Sequence, residues 1–185
     1  MHEVSLGGTI TDYLTGEERE LTTYEDLRQA LARFLVEERG FSPAALVPHY
    51  SVAYEADGEP REREADIAMF GSSGRLCLLL VFCAGQINTY AREVRAMARL
   101  ALPDPAPLVV ITDTREADLI AVRDGSVLAK GLHALPGQAE MEALALAHAF
   151  PALNAEQRDR ENRILHTYTG FLKTCCGAVC PIPKG

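Results

Sequence analysis

The longest apolar run in the sequence, Leu76 to Ala84, places the strongest limit on what this chain can fold into. Its nine residues carry no charge, and its two cysteines, Cys77 and Cys83, are expected to behave as small buried hydrophobic side chains. A membrane-spanning helix needs about 20 apolar residues, so the run is too short to cross a bilayer. Such a run is typical of a β-strand that is covered on both faces of a sheet.

Hydrophobic spacing predicts further elements on both sides of this strand. Thr22 and Glu25 form an S/T-x-x-E capping box at the start of the first helix. Asp124–Gly125 between two apolar segments predicts a hairpin. The predicted elements are a loop at 12–22, a helix at 23–39, strands at 47–54, 65–70, 76–83 and 108–112, a helix at 86–102, hairpin strands at 119–122 and 127–129, and helices at 138–150 and 154–173. This order predicts an α/β fold, with a mixed sheet flanked by helices and an additional C-terminal helix.

Length and charge divide the chain into three predicted parts. A chain of 185 residues is expected to form one compact domain with an appendage. The parts are a polar N-terminal segment at 1–22, a domain at 23–150, and a C-terminal helix with a cysteine-containing tail at 151–185. Only the last part is basic, with five basic and three acidic side chains.

The overall charge limits the classes of partner. The formal net charge of −8 and the pI near 5.1 disfavour strong non-specific binding of nucleic acid. The sequence has no phosphate-binding loop of the G-x-x-x-x-G-K-[ST] type, which excludes a P-loop motor. Met1 to Thr11 lack the features of a signal peptide, so we expect a cytoplasmic protein without a membrane partner.

Four short patterns, taken in order, point to a known family. Glu25 precedes Arg28 in the first helix, and in the segment 61–67 basic residues lead into the Asp-Ile pair that ends it. Residues 79–85 read LLVFCAG, and Thr112–Asp113 end the next strand. The stretch from about residue 24 to 136 resembles the N-terminal domain of the R subunit of type I restriction enzymes. That resemblance implies the restriction-endonuclease-like, or PD-(D/E)xK, nuclease fold.

The resemblance also implies an active site, of which this sequence keeps only a part. The family pattern has an Asp and a Glu that bind Mg²⁺, and a Lys two residues after the Glu. Asp66 matches the Asp, while Phe82 and Ala84 occupy the Glu and Lys positions; a shift of one residue puts Val81 and Cys83 there. We therefore expect Asp66 to be a relic and the domain to be catalytically inactive. We expect no cofactor, except Mg²⁺ if residual nuclease activity remains.

Migrated residues are an alternative that keeps the enzyme active. Glu93 in the following helix could replace the missing carboxylate, with Arg92 or Arg95 in place of the amine. The opposing interpretation is that Glu93 lies on a charged outer face, and that Asp66 pairs with Arg61 or Arg63. The enzyme assignment stays open between these readings.

The predicted function is a stand-alone domain that binds nucleic acid or a protein. Arg92, Arg95 and Arg99 lie three to four residues apart on one helix, which favours a ridge that contacts phosphates. The alternative is a solvated helix face. We expect DNA binding to be weak and salt-sensitive, with the basic residues Arg158, Arg160 and Arg163 as a second source.

The last helix and the tail leave two further alternatives open. Apolar residues at helical spacing, among them Ile164 and Leu165, must be buried against the domain itself or against a second copy in a homodimer. Cys175, Cys176 and Cys180 could form a metal- or redox-responsive module, but no fourth ligand at motif spacing is visible, so no metal site is predicted.

Overall fold

The computed structural model describes residues 3–83 and 85–177, and for residues 170–177 it describes the backbone. The chain opens with an antiparallel hairpin of β1 (Ser5–Thr11) and β2 (Glu18–Thr22). The loop predicted over 12–22 is therefore wrong for residues 18–22. This strand is polar and mostly solvent-facing, so it carries no alternation of apolar residues that could have revealed it.

The first helix begins as the capping box predicts. In α1 (Thr23–Arg33) the Thr22 hydroxyl accepts a hydrogen bond from the Glu25 N–H at 3.0 Å. The helix continues as a π-helical turn over Phe34–Glu38 and ends before Gly40, whose φ of 72° suits glycine. The predicted helix at 23–39 is confirmed, although its last turn is wider than an α-helix.

A six-stranded mixed sheet forms the centre of the molecule. Its strands, in spatial and sequence order alike, are β3 (Leu46–Ala56), β4 (Glu59–Phe70), β5 (Leu76–Phe82), β6 (Leu108–Thr112), β7 (Ala117–Ala121) and β8 (Val127–Lys130). Neighbouring strands are antiparallel except β5 and β6, which are parallel. The crossover between those two strands contains α2 (Ala91–Leu100), shorter than the predicted helix because a 3₁₀ turn precedes it and the helix ends before Pro103.

Helices cover both faces of the sheet, as the apolar run of β5 predicts. On one face Leu78 and Leu80 pack with α1 and with α3 (Gln138–Ala147). On the other face Leu79 and Val81 pack with α2 and with Leu165 of α4 (Ala155–Gly177). Successive side chains of a strand point to opposite faces, so an unbroken apolar sequence serves both cores.

The C-terminal helix is packed against the domain itself. Leu165 is fully buried in the core on the α2 side, and Ile164 packs beside it. Leu165 is thus covered within the chain, whereas the side chains of residues 170–177 are outside the described parts and the homodimer stays a prediction. In the part of the chain that the structure describes, no helix has the length and apolar character needed to span a membrane.

Truncation of Leu80 tests the assignment of β5 as the centre of the core. Leu80 is 0% exposed, so Leu80→Ala should lower the free energy of unfolding by about 2–5 kcal/mol through lost burial and a new cavity. Leu146 is 75% exposed, so Leu146→Ala should change it by no more than about 0.5 kcal/mol. Urea unfolding measures both values. Equal losses in the two variants would contradict the burial of β5.

Candidate active site

Asp66 lies where α1, β4 and β5 converge. Its Oδ1 atom accepts hydrogen bonds from Arg28 Nε at 3.2 Å and Nη2 at 3.0 Å. Its Oδ2 atom accepts the Phe82 N–H at 2.7 Å. The hydrogen-bonded partner of Asp66 is thus neither Arg61 nor Arg63 but an arginine of α1, 38 residues earlier, while the charge of Arg63 also acts on Asp66.

A local irregularity of the sheet turns Asp66 toward α1. His49 lies across from Asp66 between the paired residues Pro48–Ile67 and Tyr50–Ala65, and has a φ of 53°. In a regular strand, residues two apart point to the same face. Here Ala65 belongs to the core on the α2 side, whereas Ile67 belongs to the core on the α1 side. The sequence shows no glycine here, so nothing in it indicates the irregularity.

Arg28 is the centre of a charged network. Besides Asp66, its guanidinium contacts Glu25 and lies 3.2 Å from His49 Nε2. His49 Nδ1 lies 2.9 Å from Glu64 Oε1, and since an ionised carboxylate only accepts, Nδ1 carries the proton in that contact. A single buried arginine thus serves several acids.

Asp12, Glu25 and His49 form the one group, among the described residues, with ligand atoms close enough together to hold a metal ion, all within 4.8 Å of one another. Two carboxylates and an imidazole are donors that suit a divalent transition metal. However, Gln29 Nε2 donates to Asp12 at 3.0 Å and to Glu25 at 2.6 Å, and Arg28 contacts Glu25 as well. The carboxylates of Asp12 and Glu25 thus already have hydrogen-bond partners within the chain, and the cluster does not need a metal ion to neutralise it.

The pKa values of Asp66 and Asp12 are shifted in opposite directions, although burial acts to raise both. Burial raises the pKa of Asp66, and the hydrogen bonds from Arg28 and the Phe82 N–H only partly offset it. Burial also acts to raise the pKa of Asp12, but hydrogen bonds from Thr15, Gln29 and Leu14 together hold it below the ordinary value.

No carboxylate replaces the missing Glu on β5. The Phe82 ring packs edge-on against the ring of Tyr24, with 5.2 Å between centroids. Val81 and Cys83, which take the Glu and Lys positions in the other register, are both buried in the core. Ala84 lies outside the described residues.

Glu93 of α2 is buried against β4, so the interpretation that it lies on an outer face is wrong. It is 1% exposed, and its Oε1 atom accepts a hydrogen bond from Arg63 Nε at 2.9 Å. Its Oε2 atom is buried without a hydrogen-bond partner among the described residues. Burial raises the pKa of the Cys83 thiol, and the charges of Glu93 and Asp66 raise it further. Sequence periodicity could not reveal that a glutamate on α2 points inward.

The three arginines predicted to bind nucleic acid make contacts within the chain. Arg95 donates to the carbonyl of Val122 at 3.3 and 3.2 Å, and a Cβ at Gly125 would lie 2.5 Å from its Nη1 atom. Arg99 donates to the same carbonyl at 3.1 Å and to Glu161 at 2.7 Å. Arg92 is 35% exposed and lies 3.3 Å from Glu161. They do not form a freely solvated face, and their role toward nucleic acid stays a prediction.

The other C-terminal candidates lie partly outside the described residues. Arg158 donates to the carbonyl of Leu100 at 3.3 Å, while Arg160 and Arg163 are exposed. The side chains of Cys175 and Cys176, and all of Cys180, are not among the described parts, so the cysteine module stays a prediction.

The pH dependence of stability tests the surroundings of Asp66. A raised pKa means that, between the pKa of the unfolded state and that of the folded state, the folded protein binds more protons than the unfolded chain. The free energy of unfolding therefore falls as pH rises through this interval. The melting temperature of the native protein, relative to Asp66→Asn, should therefore fall as pH rises from about 4, the ordinary Asp pKa.

Asp113 provides a control of opposite sign. Hydrogen bonding from the Glu116 N–H lowers its pKa, so its stabilisation is present above the ordinary pKa and is lost as pH falls. The melting temperature of the native protein relative to Asp113→Asn should rise with pH. Parallel curves for the two comparisons would contradict the raised pKa of Asp66.

A comparison with known protein families agrees with the resemblance of the sequence. The family model for the type I restriction enzyme R protein N terminus matches residues 23–136, which hold α1, β3 to β8 and α2. No curated protein and no solved structure matches the chain. Because the match covers more than half of the sequence, the chain belongs to the family of the type I restriction enzyme R protein N terminus.

Proposed function

We propose that this chain is a catalytically silent nuclease-like domain of PD-(D/E)xK type that binds the nucleic-acid backbone. One observation carries the loss of catalysis: both oxygens of Asp66 are hydrogen-bonded, to Arg28 and to the Phe82 N–H. The guanidinium is thus a fixed cation at the carboxylate that would bind Mg²⁺ in an active relative.

The missing groups have distinct chemical roles. Hydrolysis of a phosphodiester by this family's chemistry needs Mg²⁺ on carboxylate oxygens, which polarises the phosphate and activates water. It also needs an ammonium that stabilises the developing charge. At the position of the family's Glu, this chain has Phe82, whose ring packs against the ring of Tyr24. Lys130, the one lysine whose side chain the structure describes, lies on β8, three strands from β5.

Binding without cleavage is supported by the basic residues of α2. Arginine forms bidentate contacts with phosphate, and Arg92 keeps part of its side chain in solvent. The net charge of −8 works against affinity, so the interaction is weak and depends on salt. A protein partner instead of nucleic acid is the other outcome of the binding experiment.

A working nuclease with migrated residues is the second candidate, and the burial of Glu93 favours it. Its Oε2 atom has no hydrogen-bond partner among the described residues, and its Oε1 atom is bonded to Arg63, which lies three residues before Asp66 on β4. Arg63, which donates to Glu93, would then be the local cation instead of Arg92 or Arg95.

A nicking assay separates the two candidates. The purified protein should leave supercoiled plasmid intact in Mg²⁺ and in Mn²⁺, because Asp66 is bonded to Arg28 and the Glu and Lys are missing. A metal-dependent nuclease in the same buffer is the positive control. Nicking that disappears in both Asp66→Asn and Glu93→Gln, but persists in the exposed-site control Glu156→Gln, would establish the migrated nuclease and overturn the silent domain.

Fluorescence anisotropy with a labelled DNA duplex tests the binding function. We expect a Kd of roughly 10⁻⁶ to 10⁻⁴ M that weakens steeply between two salt concentrations, since phosphate contacts release counterions. Arg92→Ala should weaken binding and reduce the salt dependence. Tight binding that is insensitive to this substitution would place the binding surface elsewhere, and no binding at low salt would favour a protein partner.

A further inference from the structure

Glu161 of α4 lies against the arginines of α2. It is 0% exposed, and its Oε1 atom accepts a hydrogen bond from Arg99 Nη1 at 2.7 Å. Its Oε2 atom lies 3.3 Å from Arg92 Nη1, at ion-pair distance but without hydrogen-bond geometry. One carboxylate therefore bridges two arginines that are seven residues, about two helical turns, apart.

The contact between α4 and the domain leaves buried polar atoms without hydrogen-bond partners. Six buried side-chain atoms in the described residues have no hydrogen-bond partner, and three of them belong to α4: Glu161 Oε2, Asn162 Oδ1 and Thr169 Oγ1. A buried polar atom without a partner costs free energy. Between residues 155 and 169 only Glu161 and Leu165 are buried, and Leu165 is the one fully buried apolar side chain that this part of α4 adds to the core. These features favour a helix that can leave the domain without unfolding it.

A carboxylate and a phosphate are interchangeable partners for arginine. Both present paired oxygens to the planar fork of the guanidinium, and both form charge-assisted hydrogen bonds. Arg95 remains bonded to the carbonyl of Val122 on the other side, which keeps the α2 face in position whether or not α4 is present. The matched family region, 23–136, includes α2 and excludes α4.

We propose that α4 is a detachable cover over a phosphate-binding face of α2, with Glu161 in the place of a nucleic-acid phosphate. When α4 leaves, Arg92 and one edge of Arg99 become free to bind the backbone of a nucleic acid. This inference rests on the proposed function, since it names how that binding is regulated. It also explains why Arg92 and Arg99, which are spaced to contact phosphates, pair with Glu161 within the chain.

Hydrogen exchange of the full chain tests whether the cover opens. Amides of residues 158–169 should exchange through local opening, faster than those of β5 and β6, because only two side chains of α4 between residues 155 and 169, Glu161 and Leu165, are fully buried. Addition of duplex DNA at low salt should speed exchange in α4 and slow it in α2. Exchange of the α4 amides only at the rate of global unfolding would overturn the detachable cover, whatever the protein binds.

A matched pair of substitutions tests the role of Glu161. Glu161→Gln and Glu156→Gln make the same change in charge on the same helix, but Glu156 is exposed. Glu161→Gln should bind duplex DNA on the order of tenfold more tightly than Glu156→Gln, since the arginines lose a charged partner. Adding Arg92→Ala to Glu161→Gln should remove that gain. Circular dichroism confirms that each variant is folded.

The outcomes separate this inference from the proposed function. Clear DNA binding by the native protein, with equal affinities for the two glutamine variants, would overturn the cover and leave the binding function standing. Absence of DNA binding by all of these proteins at low salt would overturn the nucleic-acid function, together with the phosphate as the ligand of this face.

Discussion

Burial of β5 on both faces is the constraint on which the rest of the structure depends. Leu78 and Leu80 need one helical layer and Leu79 and Val81 need the other, so α1 and α3 pack on one face while α2 and α4 pack on the opposite face. The end of the same strand carries the Phe82 N–H that holds Asp66. The strand therefore determines both the core and the place where the polar site forms.

At that site a single arginine pairs with several carboxylates. Asp66, Glu25 and Glu64 all lie within ion-pair distance of Arg28. A buried carboxylate must be neutralised or paired, and a guanidinium provides that without a bound cation. Under the proposed function, this pairing is what keeps Asp66 from binding a metal ion.

Segments outside the matched region 23–136 complete two charged clusters inside it. The N-terminal hairpin supplies Asp12, whose carboxylate accepts a hydrogen bond from Gln29 of α1. The C-terminal helix supplies Glu161, which pairs with Arg99 of α2. Both additions place an acid against a polar residue of the family core, and each covers a helix that would otherwise be more exposed.

Local signals in the sequence were sufficient for the helices and the strands of the central sheet, though not for the polar N-terminal hairpin, and for one residue of the site. The capping box at Thr22, the apolar run of β5 and the Asp124–Gly125 turn each act over a few residues, so each can be read from the chain. Asp66 was found because its position in an ordered pattern of short motifs matched that of the family. These features depend on neighbours in sequence.

Only the tertiary structure decided which charges meet. Arg28 and Asp66 are 38 residues apart, Arg63 and Glu93 are 30 apart, and Arg99 and Glu161 are 62 apart. Helical periodicity assigned Glu93 to an outer face, because a pattern of apolar residues says nothing about a charged side chain that is buried through its ion pair. The partner of a charge depends on how helices and strands pack, and that packing is determined by the whole core.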